Sequence, residues 1–187
     1  MAVAVPASTP NTPLADVTLL VPVQLPPTVR LFSTADSFHF ANATSVVGPS
    51  VPVAGAALTA CARVAAVIGA DGNIGGYSGL VEWQDPAEIP SVKQSDFGIV
   101  LGPVVVTPDE LDPVSVVCRL AGNGRAEEGA SGPFAWDEAI ALAARRTVLR
   151  PGDVIAGPPV ATLAELGSGV ALVIEGIGEL DCPQRLD

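Results

Sequence analysis

Short apolar runs, rich in β-branched residues, recur along the chain, and Gly or Pro bounds nearly every one of them. This pattern is typical of short β-strands. A Gly122-Asn123-Gly124 segment between two runs is a hairpin signal. We therefore predict a mainly β architecture with strands at residues 17–23, 29–33, 62–68, 99–106 (interrupted at Gly102-Pro103), 115–121, 154–156, 170–174 and 179–182.

One segment has a helical pattern instead. The run DEAIALAARR begins at Asp137, carries acidic residues in its first turn and ends on Arg145 and Arg146. Both charges suit the helix dipole. We predict one main helix at about 136–146, a buried face shared by Trp136 and Ile140, and a short helical turn near 86–89.

Neither a linker nor an internal repeat divides the sequence. We predict a flexible Pro-rich tail over residues 1–14 and one domain over residues 15–187.

Composition narrows the choice of partners. The 187 residues are 49% hydrophobic but only 4% aromatic, so Val, Ala, Leu and Ile must build the core. Acidic residues outnumber basic ones by 20 to 9, which gives a net charge of −11. This balance argues against nucleic acid and against an anionic membrane surface as partners.

Cysteine usage and leader signals point to a compartment. Cys61, Cys118 and Cys182 are odd in number and far apart, so neither a disulfide framework nor a zinc site is expected. The N-terminal residues lack the basic segment of a secretory signal, and no run is typical of a membrane span. We expect a cytoplasmic protein.

Three segments carry a family resemblance. Residues 93–110 read KQSDFGIVLGPVVVTPDE, residues 149–156 read LRPGDVIA, and residues 173–180 read VIEGIGEL. Together with the Gly122-Asn123-Gly124 hairpin they resemble, in the same order, segments of the fumarylacetoacetate hydrolase family. The resemblance extends over about residues 17–183. It implies a mainly β (α+β) fold, a twisted and mostly antiparallel β-roll, and a homodimer.

The resemblance also implies a metal site that this sequence alters. Family members hold Mg²⁺ or Mn²⁺ with two glutamates at i and i+2 on one strand and an aspartate beyond a Gly-Tyr pair. Here Cys61 and Arg63 take the glutamate positions, and the third position falls on or near Glu82, beyond Gly76-Tyr77. Because arginine is always charged, we expect no metal cofactor and an Arg63–Glu82 ion pair. A Mg²⁺ or Mn²⁺ cofactor is expected only if this alignment is wrong.

Other candidate residues follow from the same alignment. His39, the only histidine, falls at the family's general base, and Lys93, the only lysine, at a family lysine that faces the pocket. The alternatives are a surface histidine and a Lys93–Asp96 ion pair. A nucleophilic Cys61 beside Arg63 is a further alternative, since a nearby cation favours a thiolate. We predict as catalytic residues Lys93, His39 and Arg63, and as substrate-binding residues Glu82, Tyr77, Ser131 and Asp96.

These residues favour a metal-independent enzyme. Its partner would be a small carboxylate or dicarbonyl molecule, a carbonyl- or enol-bearing acid or a polyketide-like metabolite, in an isomerisation, cyclisation or decarboxylation. Two alternatives stay open: a non-catalytic binding or scaffold protein, and a Mg²⁺- or Mn²⁺-dependent hydrolase of acylpyruvate-like C–C bonds.

Overall fold

The computed structural model describes residue 13 and residues 16–89 and 91–186, so the predicted tail lies, apart from Pro13, outside the described residues. Its strands and helix are β1 (Val29–Thr34), β2 (Ser37–Ala41), β3 (Val46–Val47), β4 (Val53–Ala54), β5 (Leu58–Ile68), β6 (Ile74–Gln84), β7 (Ile99–Val106), β8 (Val117–Gly122), β9 (Arg125–Ala130), α1 (Trp136–Ala144), β10 (Val154–Ala156), β11 (Ala161–Leu166), β12 (Val170–Ile174), β13 (Gly178–Cys182) and β14 (Gln184–Arg185). Short 3₁₀ turns lie at Ala43–Ser45, Pro86–Glu88 and Val92–Gln94.

The strands form a curled mixed sheet with a second sheet packed against it. The large sheet has the order β2-β1-β10-β5-β6-β7-β3, and β11 also pairs with β5. The second sheet has the order β13-β12-β8-β9, and β14 pairs with β4. Most pairs are antiparallel, whereas β1–β10, β3–β7 and β4–β14 are parallel. The predicted mainly β roll with one main helix is confirmed.

The hairpin of β5 and β6 is the centre of the core, because both faces of β5 are buried. One face packs against the second sheet and α1, and it includes Val64 and Trp83. The other face lines the inside of the curl, with Ala65 and Leu80. Small aliphatic side chains fill both layers, as the low aromatic content requires.

Helix α1 ends two residues before its predicted end. Asp137 and Glu138 lie in its first turn, and Trp136, Ala139 and Ala143 are buried. Arg145 already has an extended backbone, and Arg146 has a φ of 62°. The chain therefore leaves the helix at Ala144.

Two sequence predictions were wrong. The run at residues 17–23 is apolar but forms no strand, and its Leu20 is 67% exposed. No strand was predicted over residues 74–84, yet Glu82 lies there on β6. Glycines interrupt the apolar pattern of this strand, so the pattern does not indicate it. Packing against another strand requires one of these glycines. A Cβ on Gly79 would lie 2.7 Å from the Gly102 carbonyl oxygen. None of the described helices is long and apolar enough to cross a membrane.

Candidate functional site

Strands β5 and β6 bring Cys61, Arg63 and Glu82 onto one face of the large sheet. Cys61 is directly opposite Glu82 in the antiparallel register, and such partners point to the same side. Arg63 lies two residues along β5 and shares that side because strand side chains alternate. The face is the inner side of the curl, and the side chain of Glu82 is fully buried there.

Arg63 and Glu82 form the buried ion pair predicted from the sequence. Nε and Nη2 of Arg63 both donate to Oε2 of Glu82, at 3.0 and 2.7 Å. Nη1 donates to the carbonyl oxygens of Phe32, at 2.9 Å, and Gly157, at 2.8 Å. Four hydrogen bonds therefore fix a guanidinium whose side chain is 4% exposed. Such pairing is what allows a charge to be buried.

The second oxygen of Glu82 faces polar groups near the surface. Oε1 accepts a hydrogen bond from Nε2 of Gln84 at 3.1 Å, and Nε2 of His39 lies 4.0 Å away. Gln94 in turn donates to Oε1 of Gln84 at 3.3 Å. Glu82 thus connects a buried cation to the imidazole of His39, whose side chain is 51% exposed.

His39 lies on the edge strand β2, opposite Leu31 of β1. Leu31 belongs to the inner face, so the imidazole is on the same side as Glu82. A cavity of about 340 Å³ opens beside it. Its lining consists of His39, Phe40, Ala41, Asn42, Ser91, Val92, Gln94, Ser95 and Asp96.

Lys93 forms an ion pair with Asp96, which was the alternative to its predicted catalytic role. Nζ lies 2.7 Å from Oδ2 of Asp96, and the lysine side chain is 64% exposed. Asn42 donates to the backbone carbonyl oxygen of Asp96 at 3.0 Å, which attaches this segment to β2. Asp96 therefore lines the cavity, with the Lys93 ammonium bound to it.

Tyr77 and Ser131 are not part of this cluster. Tyr77 packs edge-on against Trp136, with ring centroids 5.4 Å apart, and burial raises the pKa of its phenol. Oγ of Ser131 donates to the Pro113 carbonyl oxygen at 2.7 Å and accepts from the Val116 amide at 3.1 Å. These bonds hold a loop together.

The structure opposes a thiolate at Cys61. Burial, and then the negative charge of Glu82, raise the pKa of its thiol, and these effects exceed the lowering by the Thr162 hydrogen bond and by Arg63. Arg63, whose charge is paired with Glu82, is the smaller of the two lowering effects. A protonated, buried thiol is a poor nucleophile.

The residues at the implied metal positions do not fit Mg²⁺ or Mn²⁺. These ions prefer several oxygen ligands, whereas this face presents a protonated thiol, a guanidinium and one carboxylate already bonded to it. Among residues 16–89 and 91–186, no three His, Cys, Asp or Glu side chains are grouped so that they could hold a metal ion.

Sequence reasoning missed Gln84 and Gln94. Gln84 lies two residues from Glu82 on β6, so strand alternation places both on one side. That signal was missed because no strand was predicted over residues 74–84. Gln94 joins them through tertiary contact alone.

A scan against protein-family models and a search of curated proteins both find no match. Solved structures do match. Maleylpyruvate hydrolase from Sphingobium sp. SYK-6, a complex with manganese(II) and pyruvate, has a TM-score of 0.80 at 23% identity, over 93% of this chain and 76% of that one. The 5-carboxymethyl-2-hydroxymuconate delta-isomerase from Mycobacterium smegmatis has a TM-score of 0.80 at 24% identity, over 96% of this chain and 86% of that one. The 2-hydroxyhepta-2,4-diene-1,7-dioate isomerase from Mycobacterium marinum has a TM-score of 0.76 at 26% identity, over 94% of this chain and 81% of that one. The likeness confirms the fold implied by the sequence resemblance.

Proposed function

Because this chain has the fold of the fumarylacetoacetate hydrolase family, we propose that it is an enzyme that acts without a metal ion on a small carboxylic acid. The acid carries a carbonyl or enol group and binds in the cavity beside His39. The structural neighbours are isomerases, hydrolases and dehydratases of carboxylic acids, which supports the substrate class. Isomerisation by proton transfer is the reaction that the residues favour.

The observation that carries this proposal is the chain of contacts from Arg63 through Glu82 to His39. Glu82 cannot move freely, because Arg63 holds one of its oxygens with two hydrogen bonds. Its other oxygen lies 4.0 Å from Nε2 of His39. A fixed carboxylate beside an imidazole selects its tautomer and stabilises the imidazolium that forms when the imidazole accepts a proton. Catalytic hydrogen bonds are often long before substrate binds.

The proposed step needs no co-reactant. With Nε2–H directed at Glu82, Nδ1 of His39 takes a proton from the carbon next to the substrate carbonyl. The electron pair of that C–H bond moves toward the carbonyl oxygen and forms an enolate. Return of the proton to another carbon of the conjugated system completes an isomerisation in which no atom is gained or lost.

Lys93 and Arg63 have different parts in this scheme. Lys93 would leave Asp96 and pair with the substrate carboxylate or enolate, since its side chain is 64% exposed. Arg63 is a positioning residue, because its donors are directed at Glu82, Phe32 and Gly157. In this scheme Asp96 contacts substrate at the cavity wall, whereas Tyr77 and Ser131 take no part.

Metal independence rests on charge as well as on ligand chemistry. Two unit charges 4 Å apart interact by about 4 kcal/mol at an effective dielectric of 20. A divalent ion beside the Arg63 guanidinium would be repelled about twice as strongly, and Glu82 alone would have to compensate.

One observation favours a second function, binding without turnover. The buried Arg63–Glu82 pair fills the inner face itself. A filled site of this kind is expected in a family member that has lost catalysis. The cavity beside His39 would then hold a carboxylate ligand without converting it.

Substrate turnover under chelation tests the proposal. The panel is maleylpyruvate, 5-carboxymethyl-2-hydroxymuconate and 2-hydroxyhepta-2,4-diene-1,7-dioate, followed by ultraviolet absorbance with EDTA and with added Mn²⁺. We expect EDTA-resistant turnover of at least one acid and a loss of about 10²- to 10⁴-fold in His39→Gln. Ser37→Ala, exposed on the same strand, is the matched control.

Each other outcome has a meaning. Calorimetric binding without turnover supports the binding protein. Turnover that requires Mn²⁺ contradicts metal independence and restores the hydrolase alternative. Absence of both binding and turnover for all three acids contradicts the substrate class.

We also propose a cytoplasmic homodimer, as the family resemblance and the cysteine pattern suggest. Light scattering of the purified chain tests the dimer, and cell fractionation tests the compartment.

A further inference from the structure

A second cavity lies beside β1 and contains a second buried arginine. Its volume is about 470 Å³, and its lining consists of Pro27, Thr28, Arg30, Thr147, Val148, Arg150 and Asp153. Arg30 and Leu31 are neighbours on β1, so their side chains point to opposite faces of the sheet. Leu31 shares its face with His39, so this cavity is separate from the one beside His39.

The charge of Arg30 is only loosely paired. Its Nη1 donates to the Thr28 hydroxyl and lies 3.7 Å from Oδ2 of Asp153. Asp153 is already satisfied by closer donors, since the Thr28 hydroxyl donates to Oδ1 at 2.6 Å and the Arg150 amide to Oδ2 at 2.8 Å. The carboxylate therefore does not saturate the guanidinium.

The guanidinium also has a donor without a partner. The side chain of Arg30 is 4% exposed, yet its Nε forms no hydrogen bond. A buried donor is normally satisfied, and leaving one unpaired is unfavourable. A ligand that accepts from Nε would remove this cost.

Aromatic rings hold the guanidinium in place. Its central carbon lies 5.1 Å from the ring centroid of Phe40 and 6.0 Å from that of Phe38. Cation–π contacts of this kind attract the guanidinium to the ring faces and fix its position beside the cavity.

The local charge is opposite to that of the whole chain. Two arginines, Arg30 and Arg150, and one acid, Asp153, line the cavity, which leaves one excess positive charge in a chain of net charge −11. We propose that the cavity binds a small oxyanion, a carboxylate or a phosphate group, through Nε of Arg30, with Arg150 as a second cation. Planar or tetrahedral oxyanions suit the arginine fork.

Titration of the whole chain with inorganic phosphate and, separately, with malonate at constant ionic strength tests the site. Amide chemical shifts report where each anion binds. We expect saturable binding that shifts the amides of Thr28, Arg30 and Asp153. Arg30→Lys, which keeps the charge but removes Nε, should weaken binding about tenfold or more.

Three further variants complete the test. Arg150→Gln should weaken binding by a smaller factor, because its side chain is exposed. Arg119→Gln, an exposed arginine on β8, should leave binding unchanged. His39→Gln should also leave it unchanged, so failure of the proposed enzyme and failure of this site are distinguishable.

The relative affinities identify the source of the oxyanion. Tighter binding of phosphate supports a phosphorylated ligand, and tighter binding of malonate supports a carboxylate. If neither anion binds wild-type protein saturably, or if Arg119→Gln weakens binding as much as Arg30→Lys, the proposal is overturned.

Discussion

The guanidinium of Arg63 donates two hydrogen bonds to the same oxygen of Glu82, from Nε at 3.0 Å and from Nη2 at 2.7 Å. Both side chains are buried. This arrangement leaves the other carboxylate oxygen for Gln84 and His39. The positive charge at residue 63 therefore positions a carboxylate at the place where the family resemblance implies a metal ion.

Glu82→Gln should lower the free energy of unfolding by about 3–5 kcal/mol, because it leaves the Arg63 charge buried without its partner. Arg63→Met should lower the free energy of unfolding by a similar amount, because it leaves the Glu82 charge buried without its partner. The double variant Arg63→Met, Glu82→Leu should recover much of the loss. Urea unfolding, followed by the fluorescence of the two buried tryptophans Trp83 and Trp136, measures all three. Single variants that each cost less than about 1 kcal/mol would contradict the pairing.

Lys93→Ala should change the free energy of unfolding by less than about 1 kcal/mol, since its ion pair with Asp96 is exposed. It should nevertheless weaken binding of a carboxylic acid in the cavity beside His39. Urea unfolding and calorimetric titration, run on the same preparation, separate the two effects. Arg119→Gln is the charge-matched control, and equal loss of affinity in both variants would argue against a direct contact by Lys93.

Iodoacetamide should alkylate Cys61 slowly in the folded protein, because burial and Glu82 raise the pKa of its thiol. Cys118 and Cys182 are also buried and provide internal references. Peptide mass spectrometry should show labelling of all three cysteines together as urea unfolds the chain. Selective labelling of Cys61 in native protein would instead indicate a nucleophilic thiol.

Stability should fall as the pH rises from about 9 to about 11. Burial raises the pKa of Cys118 from 9.0 to about 11, and burial raises the pKa of Cys182 as well. Between those values the folded chain keeps a proton that the unfolded chain loses, so alkali favours unfolding. Below pH 9 the thiol is protonated in both states, so the folded chain keeps its full stability. Between pH 9 and pH 11 the ionisation of Cys118 in the unfolded chain lowers the free energy of unfolding by about 3 kcal/mol.

Urea unfolding across this range measures the slope. Cys118→Ala should be less stable at neutral pH, because it leaves a small cavity, but should show a shallower decline in alkali. An equal slope in wild type and variant would contradict the assignment to Cys118.

Local signals predicted the positions of several strands along the chain. The runs at 154–156 and 170–174 match β10 and β12, and Gly122-Asn123-Gly124 marks the turn between β8 and β9. Strand β6 was missed because Gly75, Gly76 and Gly79 interrupt its apolar pattern. Those glycines serve contacts with other strands, such as the approach of Gly79 to the Gly102 carbonyl. A local pattern cannot reveal such a reason.

The candidate site divides in the same way. The sequence alone determined that the positions implied as metal ligands hold Cys61 and Arg63, because residue identity sets charge and ligand chemistry. It also determined the fold class, since strand and turn preferences are local. Only the tertiary structure decided that Glu82 also meets His39 and Gln84, and that Tyr77 and Ser131 lie elsewhere. Those relationships depend on strand register and on burial, which arise when segments distant in the chain pack together.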